Sequence, residues 1–126
     1  MFKFEDLFIQ EVPIDDQSNH VVKDAITLQT QYADYMYNEL MLTDQKEEFY
    51  SHLESFPPEK FCRPYGAFYV AYNINKIPIG VVGYKKISND NNNDCEMKRI
   101  FVNNSYRGHG YGSMLVRFII NQVKLD

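Results

Sequence analysis

Arg107-Gly108-His109-Gly110-Tyr111-Gly112 is the segment whose residue types and spacing bear most directly on chemistry. Alternate glycines between a strand and a helix let the backbone turn tightly and approach a ligand, and they leave N–H groups unpaired at the positive end of the helix dipole. Such a loop binds anions, phosphate above all. Spacing excludes two common classes. A dinucleotide fingerprint requires glycine at its sixth position, which counted from Gly108 is Ser113, and no βαβ unit follows to supply a ribose-binding acid. A P-loop requires Gly-Lys-Ser/Thr, and no lysine follows these glycines. What fits is Arg-x-x-Gly-x-Gly, matched by Arg107, Gly110 and Gly112. A helix start that uses glycine only for close packing is the plainer reading, but a purely structural turn usually needs one residue at positive φ.

The elements that must position this loop follow from periodicity. Leu7 to Val12 reads as a strand ended by Pro13. Asp15, Asp16 and Ser18 offer N-caps to a helix whose stripe is Val22, Ala25, Ile26, Gln29, Tyr32, Ala33, Met36 and Leu40, with Gln29 its one polar break. Thr43 can cap a second, short helix with Phe49, Leu53 and Phe56 on one face, terminated by Pro57-Pro58. Gly66 to Tyr72 and Ile77 to Lys85 read as a hairpin around Asn73-Ile74-Asn75-Lys76. Ser88 to Asp94 is a solvated connection to a further strand, Cys95 to Val102. The last helix, Ser113 to Lys124, is apolar at Met114, Leu115, Val116, Phe118, Ile119, Ile120 and Val123, and so is expected to lie buried against a sheet. This order predicts an α/β domain of the mixed α+β kind, with helices flanking a mostly antiparallel sheet, over residues 1–126 as a single domain.

Composition bounds the function. The chain is 44% hydrophobic and 24% charged, inside the globular range, and its net charge of −4 comes with no Lys/Arg run of the kind that marks nucleic-acid or anionic-membrane binding. The start, Met1-Phe2-Lys3-Phe4-Glu5-Asp6, carries acids where a signal peptide needs a basic region, so a cytoplasmic location is expected. Cys62 and Cys95 are too few for a disulfide framework or a four-cysteine metal site, and His20, His52 and His109 have no partners at ligand spacing; no metal is expected.

The ungapped stretch from Cys95 to Leu115, centred on Arg107-x-x-Gly110-x-Gly112, resembles the central region of the GNAT superfamily of acyl-coenzyme A dependent N-acyltransferases. The preceding order of two helices and a hairpin is similar to that family as well. The resemblance implies acetyl-CoA as co-substrate, with the backbone N–H groups from Gly108 through His109, Gly110, Tyr111 and Gly112 to Ser113 on its pyrophosphate and Arg107 bordering the loop. It implies that the backbone of Ile100, Phe101 and Val102 pairs with the pantetheine arm as an added strand, beside a bulge that splays the sheet. By the same resemblance the Ile100 amide polarises the acyl carbonyl.

Transfer to an amine also needs a base, because the acceptor is an ammonium at neutral pH. Glu96 stands where several family members carry one, and desolvation at the start of a half-buried strand would raise a carboxylate pKa to suit the task. Its plainer role is a solvated acid or a partner for Lys98 or Arg99. His109 reads as an exposed side chain near phosphate, and Cys95 as a neighbour facing away from Glu96. Tyr35, Asp34 and Glu39 lie on the first helix, which in the family walls the acceptor site; the alternative is an aromatic core stripe with a wet acidic face.

Family members continue after this last helix with a strand, a helix and a terminal hairpin, and often supply there a tyrosine that protonates the leaving thiolate. Only 14 residues follow Gly112, so the expectation is a C-terminally shortened fold, with a homodimer covering the surface that shortening exposes. Two functions compete: an N-acetyltransferase acting on a small-molecule or peptide amine by direct attack in a ternary complex, and a non-catalytic acyl-CoA-binding or regulatory module.

Overall fold

The computed structural model describes residues 2–4, 6–13, 19–39, 65–86 and 95–125. The proposed caps Asp15, Asp16 and Ser18, Leu40, the short helix from Thr43 to Phe56, His52, Cys62 and the Ser88–Asp94 connection lie outside them.

Five strands, β1 Phe2–Phe4, β2 Leu7–Glu11, β3 Gly66–Tyr72, β4 Pro78–Lys86 and β5 Cys95–Val102, form one sheet in sequence order, each antiparallel to the next. β1 is absent from the periodicity reading. Three residues are too short for a pattern, and β1 is defined by its pairing with β2, in which Phe4 stands opposite Leu7.

Helix α1, His20–Asp34, covers one face and helix α2, Tyr111–Leu125, the other. Alternation along the strands sorts the core into two clusters: Phe68, Val70, Val81 and Phe101 turn toward α1, while Leu7, Ile9, Tyr69 and Val82 turn toward α2. α1 is capped by Asn19, whose Oδ1 accepts from the Val21 N–H at 2.8 Å. The helix tightens its own surface through Thr30, whose hydroxyl donates to the Ile26 carbonyl at 2.8 Å. Beyond Asp34 it widens into a π-helical turn, Tyr35–Glu39.

α2 begins two residues before the expected Ser113, so Gly112 is helical. Its buried face is Leu115, Phe118 and Ile119, with Gln122 only 8% exposed; Ile120, expected in the stripe, is 48% exposed. The apolar breadth that suggested burial on most sides therefore includes one residue facing away from the sheet.

Gly80 on β4 lets this layer close. A Cβ there would stand 2.8 Å from the Phe101 carbonyl oxygen and 3.1 Å from Leu115 Cδ1, so a side chain would force β5 or α2 outward.

Candidate functional site

β5 carries the irregularity around which the site is built. Val81 faces Phe101 and Gly83 faces Lys98, so Val82 alone stands opposite both Arg99 and Ile100. That two-for-one pairing is a β-bulge. Arg99 adopts φ 56°, in the left-handed region, at a conformational cost of about 1 kcal/mol for a residue with a Cβ. The bulge expected beside the acyl site is therefore present, and an arginine makes it where no glycine advertises it. Among the described residues β5 pairs with β4 alone, which leaves its other edge as the outer edge of the sheet at Ile100–Val102.

From β5 the chain passes through a single 3₁₀ turn, Asn104–Tyr106, into the glycine loop. Asn103 fixes this passage three ways: its N–H donates to the Ile79 carbonyl at 2.8 Å, its Oδ1 accepts from the Ser105 N–H at 2.9 Å, and its Nδ2 donates to Gln31 Oε1 on α1 at 2.8 Å. Gly108 and Gly110 then take φ 86° and 79°. A Cβ built at Gly108, Gly110 or Gly112 would meet nothing within 4 Å, so all three glycines border open space. The Gly110 carbonyl accepts from the Met114 N–H, which makes the amides of Tyr111, Gly112 and Ser113 the first-turn donors without an intrahelical partner. No acid stands in that first turn to compete for them.

These groups line a cleft of about 290 Å³ together with Val102, Tyr106 and Arg107. Oriented N–H donors, glycines at positive φ and room for a ligand at every missing Cβ fit a pyrophosphate. His109 does not line the cleft; it is exposed, its ring 5.9 Å from that of Tyr111.

Arg107 lines the cleft and is exposed, with its guanidinium set against neighbouring groups of the same surface. Nε donates to the Val102 carbonyl at 3.1 Å, and the guanidinium carbon lies 4.5 Å from the Tyr35 ring centroid and 5.4 Å from that of Phe101. It thus ties the loop to the end of β5 and to the π-helical turn of α1. Tyr35, considered as part of the acceptor wall, is in contact with Arg107. Sequence offered no sign of the contact, since a π turn shifts side-chain phase in a way that composition does not encode.

Of the residues assigned to β5, Phe101 is buried toward α1, where it meets Tyr32 edge-on at 5.5 Å, and Ile100 packs partly buried toward α2. Their backbone, not their side chains, is what the outer edge can present. Glu96 is not desolvated: its side chain is 41% exposed, Lys98 Nζ lies 2.8 Å from its Oε1 and Lys85 Nζ 3.8 Å from its Oε2. The pairing with Lys98 is the plainer arrangement the sequence allowed. Cys95, a free thiol, packs on the α2 face, the opposite face from Glu96.

Beneath the bulge on the α1 side sits Gln29, fully buried. Its Oε1 accepts from Arg99 Nη1 at 3.5 Å, while its Nε2 has no hydrogen-bond partner among the described residues, which costs about 1–3 kcal/mol in a buried amide. Burial pushes the Arg99 guanidinium below its ordinary pKa, partly opposed by Tyr32.

A second cavity among the described residues is larger than the glycine cleft. It measures about 460 Å³, is lined by Phe8, Gln10, His20, Asp24, Tyr72 and the hairpin tip, and shares no residue with the cleft. On its wall the Tyr72 hydroxyl donates to Asp24 Oδ2 at 2.6 Å. Among the described residues, no group of His, Cys, Asp and Glu stands where it could hold a metal ion, and no helix is long and apolar enough to cross a membrane.

The sequence model of the Acetyltransferase (GNAT) family matches residues 30–125. None of the curated proteins compared with the chain matches it. Among solved structures, the fold is similar to a GNAT-family acetyltransferase from Staphylococcus aureus Mu50 at TM-score 0.67 and 21% identity, covering 94% of this chain and 66% of that one. It is similar also to a spermidine N-acetyltransferase, a chimera of SpeG from Vibrio cholerae and hSSAT, at TM-score 0.57 and 16% identity, covering 94% and 63%. At these identities the likeness is one of fold, and the chain spans just under two thirds of the length of either protein.

Proposed function

The chain belongs to the GNAT acetyltransferase family, and we propose that residues 1–126 act as one domain that transfers an acetyl group from acetyl-CoA to a primary amine by direct attack within a ternary complex. The observation that carries this reading is the glycine cleft adjoining the bulged end of β5. The amides from Gly108 to Ser113 hold the pyrophosphate, and Arg107 keeps the loop in register with β5 by its contacts to Val102, Phe101 and Tyr35. Backbone groups of Ile100, Phe101 and Val102 pair with the pantetheine arm at the outer edge. Because the Val102 carbonyl already accepts from Arg107, the arm relies chiefly on the other groups of that edge. Acetyl-CoA supplies an activated thioester, and the Ile100 amide, displaced by the bulge, is the donor for its carbonyl oxygen.

Glu96 removes the acceptor's proton in this scheme, which requires it to exchange Lys98 for the incoming ammonium. That ion pair is also the observation favouring the second reading, a domain that binds acyl-CoA without turnover. A cationic acceptor suits the acidic chain, and the similarity to a spermidine N-acetyltransferase puts a polyamine first among acceptors to try.

Titration calorimetry with acetyl-CoA, followed by thiol release with spermidine and with a lysine peptide, separates the readings. The transferase reading expects binding and thiol release, with Glu96→Gln lowering turnover roughly 10–100-fold and leaving acetyl-CoA affinity unchanged. Binding without release on either amine favours the binding module; no binding removes both.

A further inference from the structure

Gln29 is the polar break in an otherwise apolar helical stripe, and the structure buries it completely against the most strained residue of β5. Neither fact is accounted for by packing. A leucine would fill the position without stranding an amide, and a glycine at position 99 would take a positive φ without strain. The two departures meet: Gln29 Oε1 is the acceptor for Arg99 Nη1, and Arg99 is one of the two residues opposite Val82 in the bulge.

We propose that Gln29 is the positioning residue for the bulge, its carboxamide holding Arg99 in the left-handed region from the α1 face and so fixing where the next amide, that of Ile100, lies. The chain reaches this arrangement from two elements 70 residues apart, so α1 and β5 are pinned at the bulge itself. Asn103 and Gln31 form a second tie between the same two elements at the end of β5, at 2.8 Å. With the end of the strand pinned by that tie, the freedom left to the bulge is the backbone conformation at Arg99, and this is what the Gln29 contact restricts. The catalytic meaning of the Ile100 placement rests on the acetyl-transfer reading; the strut itself does not.

Nuclear magnetic resonance on the isotopically labelled full chain, without ligand, tests the strut directly. The readouts are the cross-strand contacts Val81–Phe101 and Gly83–Lys98 and the backbone signals of Arg99 and Ile100. Gln29→Leu is expected to preserve the folded spectrum elsewhere while broadening Arg99 and Ile100 and weakening the Val81–Phe101 contact about twofold or more, as the bulge begins to exchange between conformers. Gln29→Glu, which keeps an acceptor facing Arg99, is expected to retain sharp signals. Adding Arg99→Gly to Gln29→Leu should sharpen the Ile100 signal again, because glycine holds positive φ unaided.

Unchanged Arg99 and Ile100 signals in Gln29→Leu overturn the proposal, whatever the chain binds. If Gln29→Leu does not fold, Gln29→Met carries the same expectation with a side chain of similar length, and the Arg99→Gly chain must then tolerate Gln29→Met without further broadening at Ile100; added broadening there overturns it. Failure of the parent chain to bind acetyl-CoA in calorimetry would remove the acyl-transfer reading and leave the strut standing.

Discussion

On the α2 face of the sheet, Phe118 meets Tyr69 edge-on at 5.0 Å and Phe4 edge-on at 6.1 Å, among Leu7, Ile9, Val82 and Leu115. On the α1 face the packing is interrupted by polar groups: Gln29 under the bulge, Arg99 in a left-handed conformation, Arg107 against the rings of Tyr35 and Phe101, and Tyr72 bonded to Asp24. The α2 face derives its stability from apolar area and aromatic geometry, which are non-directional and forgiving of small shifts. The α1 face holds specific backbone positions, and each of its polar groups is costly unless a partner is in place. One side of the sheet is held by apolar packing, and the other by specific polar contacts to β5 and the residue that follows it.

The sharpest way to break this contrast is to remove a ring from the apolar side. Phe118→Ala deletes a side chain only 2% exposed, along with two edge-on contacts, and is expected to lower unfolding free energy by about 3–5 kcal/mol, read from chemical denaturation. A loss below about 1 kcal/mol would mean that the α2 face is not the main source of stability. The start of the same helix should behave in the opposite way. Gly112→Val adds bulk into open space without a positive φ to violate, so stability should hold while acetyl-CoA affinity falls about tenfold or more, because the side chain fills the cradle. Retained affinity would place the pyrophosphate elsewhere.

The same contrast governs what could be read from residue order. The β3–β4 hairpin and β5 were legible to within a residue or so, because β-branched and aromatic runs bounded by turn formers can do little else. The glycine loop was legible for a related reason: glycine is the signature of positive φ, and Gly108 and Gly110 have it. Arg99 has the same backbone sign with no signature, since nothing in an arginine marks positive φ and its contact with Gln29 joins residues 70 positions apart. The cap of α1 is Asn19, directly before the helix, a residue the sequence reading does not single out. Ile120 departs from the expected stripe and is exposed, while Gln122, which no apolar pattern marks, is buried, because burial depends on what lies beneath each position of the helix. For Glu96 the pairing with Lys98, two residues along the same strand, was legible, whereas the approach of Lys85 depends on the register of β4 against β5.

The smallest expected effect lies on the α1 face, at the wall of the large cavity. Burial first, and then the bond to Asp24 and its charge, push the Tyr72 hydroxyl far above the ordinary tyrosine pKa of 10.0. In the unfolded chain the phenol ionises near that ordinary value, while in the folded chain it stays protonated well beyond it. The unfolded state therefore binds fewer protons above pH 10, and stability must fall as pH rises through that region. Below it the contribution is fully present. Tyr72→Phe keeps the ring in its buried place beside His20, at a centroid distance of 6.4 Å in the parent chain, and removes only the hydroxyl. At pH 7 it is expected to cost about 1 kcal/mol, the worth of one hydrogen bond to a charged partner reduced by the release of Asp24 to solvent. The difference from the parent should then shrink between pH 10 and 11, measured as denaturation midpoints in parallel. A gap that stays constant across that range would show that the Tyr72–Asp24 pair is not protonation-linked. The polar contacts of the α1 face would then hold position without contributing a pH-dependent share of stability.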